Sequence, residues 1–188
     1  MIIAKKSSFG PRKDPELVLK KLSKEQWDNL KWADRTAIMI IDNYILLSGH
    51  LSSKAEKNKP QIEQLKRSLL DLRNACPDYE IILGGDINSF LQSEKPFSDK
   101  FNCYPDSEKV LTTIKKRTMT QGQFHKGNKV IEESKDKIIT TLKIEKANTM
   151  YISGRIPKPD NYVPSNEHPF DHFVLVAKLA LHPSKIVR

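Results

Sequence analysis

Six side chains stand where a fold can use them for acid–base or metal chemistry. Asp86 and Asn88 lie two apart in "IILGGDINSF", directly after an apolar run. His50 ends "YILLSGH", Asp136 opens "DKIITTLKI" between two lysines, and Asp171-His172 precedes "FVLVAKLAL". Carboxylates bind hard cations and an imidazole changes charge near neutral pH, so such a set can act on a charged substrate. Taken singly, each has an ordinary structural reading. An Asp-x-Asn after glycines is commonly a turn, and a lone strand histidine is commonly structural. What gives the set meaning is position: each member falls at the end of a segment that reads as a strand, where a side chain is held rigidly.

The elements that must carry these residues follow from composition and periodicity. "TAIMII" and "YILLSGHL", joined by Asp42-Asn43, read as a hairpin of two strands over 36–41 and 44–51. Ile62, Leu65, Leu69, Leu72 and Cys76 recur at steps of three and four, which predicts a helix from Pro60 to Cys76 with one apolar face. "SSKAEKNK" before it reads as a polar loop. The run over 79–84 predicts a central strand, and its double glycine a sharp turn into Asp86. Further strands are expected over 137–144, 148–153 and 172–181. "DPELVLKKLSKEQWDNLKWAD" reads as helical, with Asp14 as cap and Pro15 in the first position. "EKVLTTIKKR" is compatible with helix or strand, and residues 91–109 read as irregular.

The chain has 188 residues, 38% hydrophobic and 29% charged, enough for one domain with a real core. Residues 1–13 read as a flexible basic arm and 14–188 as the domain. The net charge of +9 favours polyanionic partners, with an aid to solubility as the plain alternative. Lys115, Lys116 and Arg117 either line a substrate groove or form a solvated basic loop. No apolar run approaches a transmembrane segment, and the first residues lack a secretory core. With only two cysteines, an intracellular location, cytoplasmic or nuclear, is expected.

The motifs "SGHL", "GGDIN", "SKDKI" and "PFDHFVLVAKL", in this order, resemble those of the endonuclease/exonuclease/phosphatase superfamily, the deoxyribonuclease I-like fold. The resemblance covers about residues 34 to 181, and the ending is most similar to deadenylase-type members. It implies an α+β fold, a two-sheet sandwich with outer helices, and a Mg²⁺-dependent hydrolase of phosphate esters, with Mn²⁺ as the alternative ion. It implies that Asp86 orients water, that Asn88 and His172 contact the phosphate, and that His50 approaches it. It further implies that Asp136 supports the His172 ring and favours its protonated form, and that Asp171 belongs to the metal site. The partner would be nucleic acid or another phosphorylated substrate.

Two departures bear on these expectations. Phe170 stands where the family has a serine. The family also carries an asparagine and a glutamate motif upstream of the histidine strand, and the 49 residues before His50 read as neither. Glu25 in "SKEQW" is the nearest substitute, on a segment that reads as a solvated helix face. The chain thus resembles the fold without its N-terminal part. It is a fragment of an active enzyme, a non-catalytic truncated relative acting as a binding or assembly subunit, or a chain whose sheet a partner completes.

Overall fold

A computed structural model describes residues 12–30, 36–88, 99–106, 110–120, 123–126, 129–150 and 172–180. In chain order the elements are β1 (Arg12–Lys13), α1 (Pro15–Leu19), α2 (Lys24–Leu30), β2 (Ala37–Ile41), β3 (Tyr44–His50), α3 (Ala55–Ala75) and β4 (Glu80–Asp86). They continue with β5 (Asn102–Tyr104), β6 (Thr113–Thr120), β7 (Gln123–Lys126), β8 (Lys129–Glu133), β9 (Asp136–Thr140), β10 (Ile144–Met150) and β11 (Val174–Leu179). The class is α+β, as the motif pattern implied.

The main sheet has the order β1-β2-β3-β4-β9-β5. β2 and β3 form the expected hairpin, turned by Asp42 at φ 53°. β3 and β4 run parallel, which requires a crossover, and α3 supplies it. β4 is therefore central, parallel to β3 on one side and antiparallel to β9 on the other.

Strand alternation divides this sheet into two faces. Ile40, Ile45, Leu47, Ile81, Leu83 and Ile139 point one way into a core closed by Ile62, Leu65, Leu69 and Leu72 of α3. Val18, Leu22 and Leu30 from the α1–α2 segment complete that core. Each such side chain, sealed from water, contributes about 1.5–3 kcal/mol of transfer free energy. Tyr44, Leu46 and Ile82 point the other way, toward Leu142 and Leu179. Leu179 belongs to β11, which pairs only with β10 among the described residues. β6, β7 and β8 form a separate three-stranded sheet.

Several local expectations change. The helical segment after Asp14 is two helices. Asp14 caps the first by accepting from the Glu16 amide at 3.0 Å. Ser23 and Gln26 then cap the second by reciprocal bonds of 2.9 and 3.2 Å, a capping box that starts a new helix. Glu25 is exposed in its first turn. The main helix begins at Ala55, not Pro60, so most of "SSKAEKNK" is helical. Its start is fixed by tertiary contact: buried Asn58 donates from Nδ2 to the carbonyls of Ser52 and Ile87, both at 2.9 Å. Arg12 and Lys13, read as the end of a flexible arm, pair with Ile41 and Ile40 as an edge strand. The undecided segment around Thr113 is strand, and the irregular stretch holds β5. The strand expected over 148–153 begins earlier, at Ile144, and residues 151–153 lie outside the described residues.

Candidate functional site

Register alone lines up three of the six chemical side chains. β3–β4 pairing sets His50 opposite Asp86, and β4–β9 pairing sets Asp86 opposite Asp136. All three fall on the even-numbered positions of the first two strands and their partners on β9, the face turned away from α3. They form a row across the end of the sheet. His50 Nε2 stands 3.7 Å from Asp86 Oδ2. Asp86 and Asp136 are mostly covered, with side chains 16% and 17% exposed, while His50 is 46% exposed.

His172 comes to this row from the other side. It bridges to Thr113 just before β11, and the next amide, Phe173 N–H, donates to the Thr112 carbonyl at 2.8 Å. Its Nδ1 lies 2.9 and 3.2 Å from the two carboxylate oxygens of Asp136. An ionised carboxylate only accepts, so Nδ1 carries the proton in this pair. Nε2 then faces Asp86 Oδ2 at 3.7 Å. Ligand atoms of Asp86, Asp136 and His172 all lie within 4.8 Å of one another.

The support of Asp136 comes from residues that the motifs did not reveal. Fully buried Thr112 accepts at Oγ1 from the amides of Lys135 and Asp136, at 2.8 and 3.0 Å. Thr113 Oγ1 donates to Asp136 Oδ2 at 3.4 Å and lies equally far from His172 Nδ1. A pair of threonines in an ambiguous segment carries no sequence signal of such a role. Asn58, which ties α3 to the Ile87 carbonyl behind Asp86, was equally silent.

The double glycine is not a turn. Gly84 and Gly85 are extended within β4. A Cβ on Gly85 would meet the Gly49 carbonyl oxygen of the neighbouring strand at 1.9 Å, so the residue permits close approach of two backbones. The turn comes later, at Asn88, with φ 47°. The Asn88 amide donates to Asp86 Oδ1 at 2.9 Å and fixes that carboxylate. The Asn88 side chain is 2% exposed and donates from Nδ2 to the Leu51 carbonyl at 2.9 Å.

Burial, and then the neighbouring Asp136 carboxylate, push the Asp86 carboxyl above its usual range. The imidazoles of His172 and His50 and the Asn88 amide act in the opposite sense without cancelling that rise. A carboxylate so placed takes up a proton or a cation more readily than one in water. Asp171 lies outside the described residues. Lys115, Lys116 and Arg117 lie on β6, the strand that starts at Thr113, and only their backbone positions are described.

No family model matches this sequence, and no curated protein matches it. Solved structures do. A truncated form of TDP2 from Caenorhabditis elegans is similar at 16% identity and a TM-score of 0.51, over 77% of this chain and 59% of that one. A longer form of TDP2 from C. elegans is similar at 15% identity and a TM-score of 0.53, over 77% of this chain and 45% of that one. The chain thus spans about half the length of the solved structures it matches. The crossover β3–α3–β4, the antiparallel β9 beside it and the strand β11 that follows His172 are part of the fold these structures share, which is deoxyribonuclease I-like.

Proposed function

We propose that this chain hydrolyses phosphate esters with a bound Mg²⁺, and that the phosphodiester bonds of nucleic acid are its substrates. The observation that carries the reading is the position of Asp86. It is a desolvated carboxylate between two imidazole Nε2 atoms, each at 3.7 Å, with a second carboxylate holding one of those rings. Asp86 orients the attacking water and accepts its proton, and its raised affinity for protons suits that task. His172, with Nδ1 fixed by Asp136, presents Nε2 to the scissile phosphate. Once protonated it donates a hydrogen bond there as charge develops. Asp136 is a positioning residue. His50 flanks the phosphate, and Asn88 holds the Asp86 loop and contacts the phosphate through what remains of its carboxamide. Lys115, Lys116 and Arg117 bind substrate.

The donor set fits a hard divalent cation. Two carboxylates face each other across one ladder position, and a bound cation would relieve their mutual repulsion. Asp86, Asp136 and Asp171 would hold it, with Mn²⁺ an acceptable substitute. When bound, the ion supplies charge neutralisation at the phosphoryl oxygens and the leaving group.

A second reading, a binding or assembly subunit without turnover, draws on Asn88. Its carboxamide is buried and engaged with Leu51, which leaves little of it for a phosphate. Turnover of bis(p-nitrophenyl) phosphate and of a fluorescent oligonucleotide, each with Mg²⁺ and with Mn²⁺, separates the two. The hydrolase reading expects activity that falls about 10²-fold or more in His172→Ala. An inert wild type would leave only the binding reading.

A further inference from the structure

β11 has the composition of an interior strand and the position of an edge strand. It reads VLVAKL, a nearly continuous apolar run of the kind that sheets cover on both faces. Its partner β10 carries Glu145, Lys146, Asn148 and Thr149, the polar make-up of a protected edge. Among the described residues the sheet holds these two strands alone. The parity of the hydrogen bonds shows which side of β11 is open. Ala180 N–H donates to the Lys143 carbonyl at 2.9 Å, so the even-numbered amides point at β10. Phe173 N–H points the other way, to the Thr112 carbonyl at 2.8 Å. Leu175, Ala177 and Leu179 follow Phe173 on that side, and among the described residues their backbone groups meet no partner there. On the outward face Val174 and Val176 stay exposed beside Met150.

The open side looks onto a part of the main sheet that the second sheet does not reach. β10 lies against β5 and β11 against β9, and beyond β9 the main sheet continues through β4 and β3 to β2. There Met39 and Ile41 of β2 face the same way as Tyr44, Leu46 and Ile82 but are only half-buried. We propose that β11 takes up one extended segment of another polypeptide as an added strand, bonded main chain to main chain along Leu175, Ala177 and Leu179. A row of backbone donors and acceptors calls for another backbone, which neither a small ligand nor a lipid supplies. A second copy of this chain does not fit through its own β11. A two-fold axis at that edge keeps both main sheets on one side of the joined sheet, so the β9 of one copy falls where β4 of the other lies. A lone strand has no such body behind it. The segment is apolar beside Val174 and Val176 and acidic beside Lys178. That lysine already lies opposite Lys146, and Glu145 at 2.8 Å is its one acidic partner among the described residues.

The test is amide hydrogen exchange of the full chain, followed by NMR, alone and with a probe peptide. The probe is an acetylated peptide of about nine residues that alternates valine with threonine and carries glutamate at both ends. In the chain alone, Leu175, Ala177 and Leu179 should exchange about tenfold or more faster than Val174, Val176 and Lys178, whose amides face β10. The peptide should protect all three by a similar factor, and a version with proline at alternate positions should not. Ala177→Pro removes an outward amide, so the variant should keep a urea midpoint close to wild type and lose the peptide. Val176→Pro should instead break the pairing with β10. If Ala177→Pro does not fold, the exchange pattern of the wild type decides. Slow exchange at the three odd-numbered amides in the chain alone, or no protection by the peptide at ~1 mM, overturns the proposal. So does protection that rises with the concentration of the chain itself and accompanies dimerisation in sedimentation, which assigns the surface to a second copy. Turnover enters none of these readings, so their failure leaves the hydrolase reading standing.

Discussion

The odd and even positions of β3 and β4 belong to the same two strands but serve different ends. At odd positions, Ile45, Leu47, Ile81 and Leu83 are wholly buried under α3. That face stays sealed to the strand ends, where Leu51 and Ile87 are also wholly buried. At even positions the strands start apolar, with Tyr44, Leu46 and Ile82, and finish with Ser48, His50, Gly84 and Asp86. The cover there is the β10–β11 sheet, on which Met150, Val174 and Val176 remain 53%, 57% and 44% exposed. One face therefore anchors the strands so that the other can hold a desolvated carboxylate against its preference.

The largest effect should come from Gly85→Ala, which puts a methyl group into the Gly49 carbonyl on the sealed face. A loss of more than about 4 kcal/mol is expected, read as failure to fold or a collapsed urea midpoint. A folded, stable variant would show that the two strands can separate without harm. Leu69→Ala, on the same face, should cost about 3–5 kcal/mol. The same truncation at Leu46, on the other face, should cost at least 1 kcal/mol less in urea titrations. The comparison breaks if Leu46→Ala costs as much.

Asp86→Asn should divide stability from activity. The variant keeps an acceptor for the Asn88 amide but loses the charge. Turnover should fall about 10²-fold or more. Because the Asp86 carboxyl is raised in the fold, its contribution to stability is full below the unfolded value of ~3.9 and is lost as pH rises through the folded one. The metal-free variant should therefore melt above the wild type at pH 7, and this gain should vanish toward pH 4. A variant less stable at pH 7 would mean that the carboxylate is not held at a cost. Asp136→Asn removes the charge at 2.9 Å from His172 Nδ1 and should move the imidazole titration, followed by NMR, to lower pH. No movement would remove the positioning role. The smallest effect, within about 0.5 kcal/mol, is expected for Val176→Thr on the exposed side of β11.

The sequence displayed the chemistry better than its supports. His50, Asp86, Asp136 and His172 could be marked because each follows or precedes an apolar strand, and period-two alternation is a local property. The α3 face was legible for the same reason at period 3.6. The start of α3 was not, because Pro60 looks like a first-turn residue while the anchor at Asn58 bonds to Ile87, far along the chain. Gly84-Gly85 was misread as a turn because close approach to Gly49 depends on a neighbouring strand that no local pattern shows. Thr112 and Thr113 stayed hidden because their value lies in what pairs with them: Asp136 and His172 are brought to them by β8, β9 and the bridge before β11.

The parallel pairing of β3 and β4 through α3 also sets an order in time. Residues 37–86 hold the β2–β3 hairpin and the β3–α3–β4 crossover, so His50 and Asp86 are both made early in this region. The imidazole that faces Asp86 from the other side lies 36 residues beyond Asp136. A growing chain therefore carries its carboxylates long before it carries the ring that pairs with them. The site is therefore complete only once residue 172 has been made, so nascent chains stalled short of it should carry His50, Asp86 and Asp136 without the His172 ring that faces them.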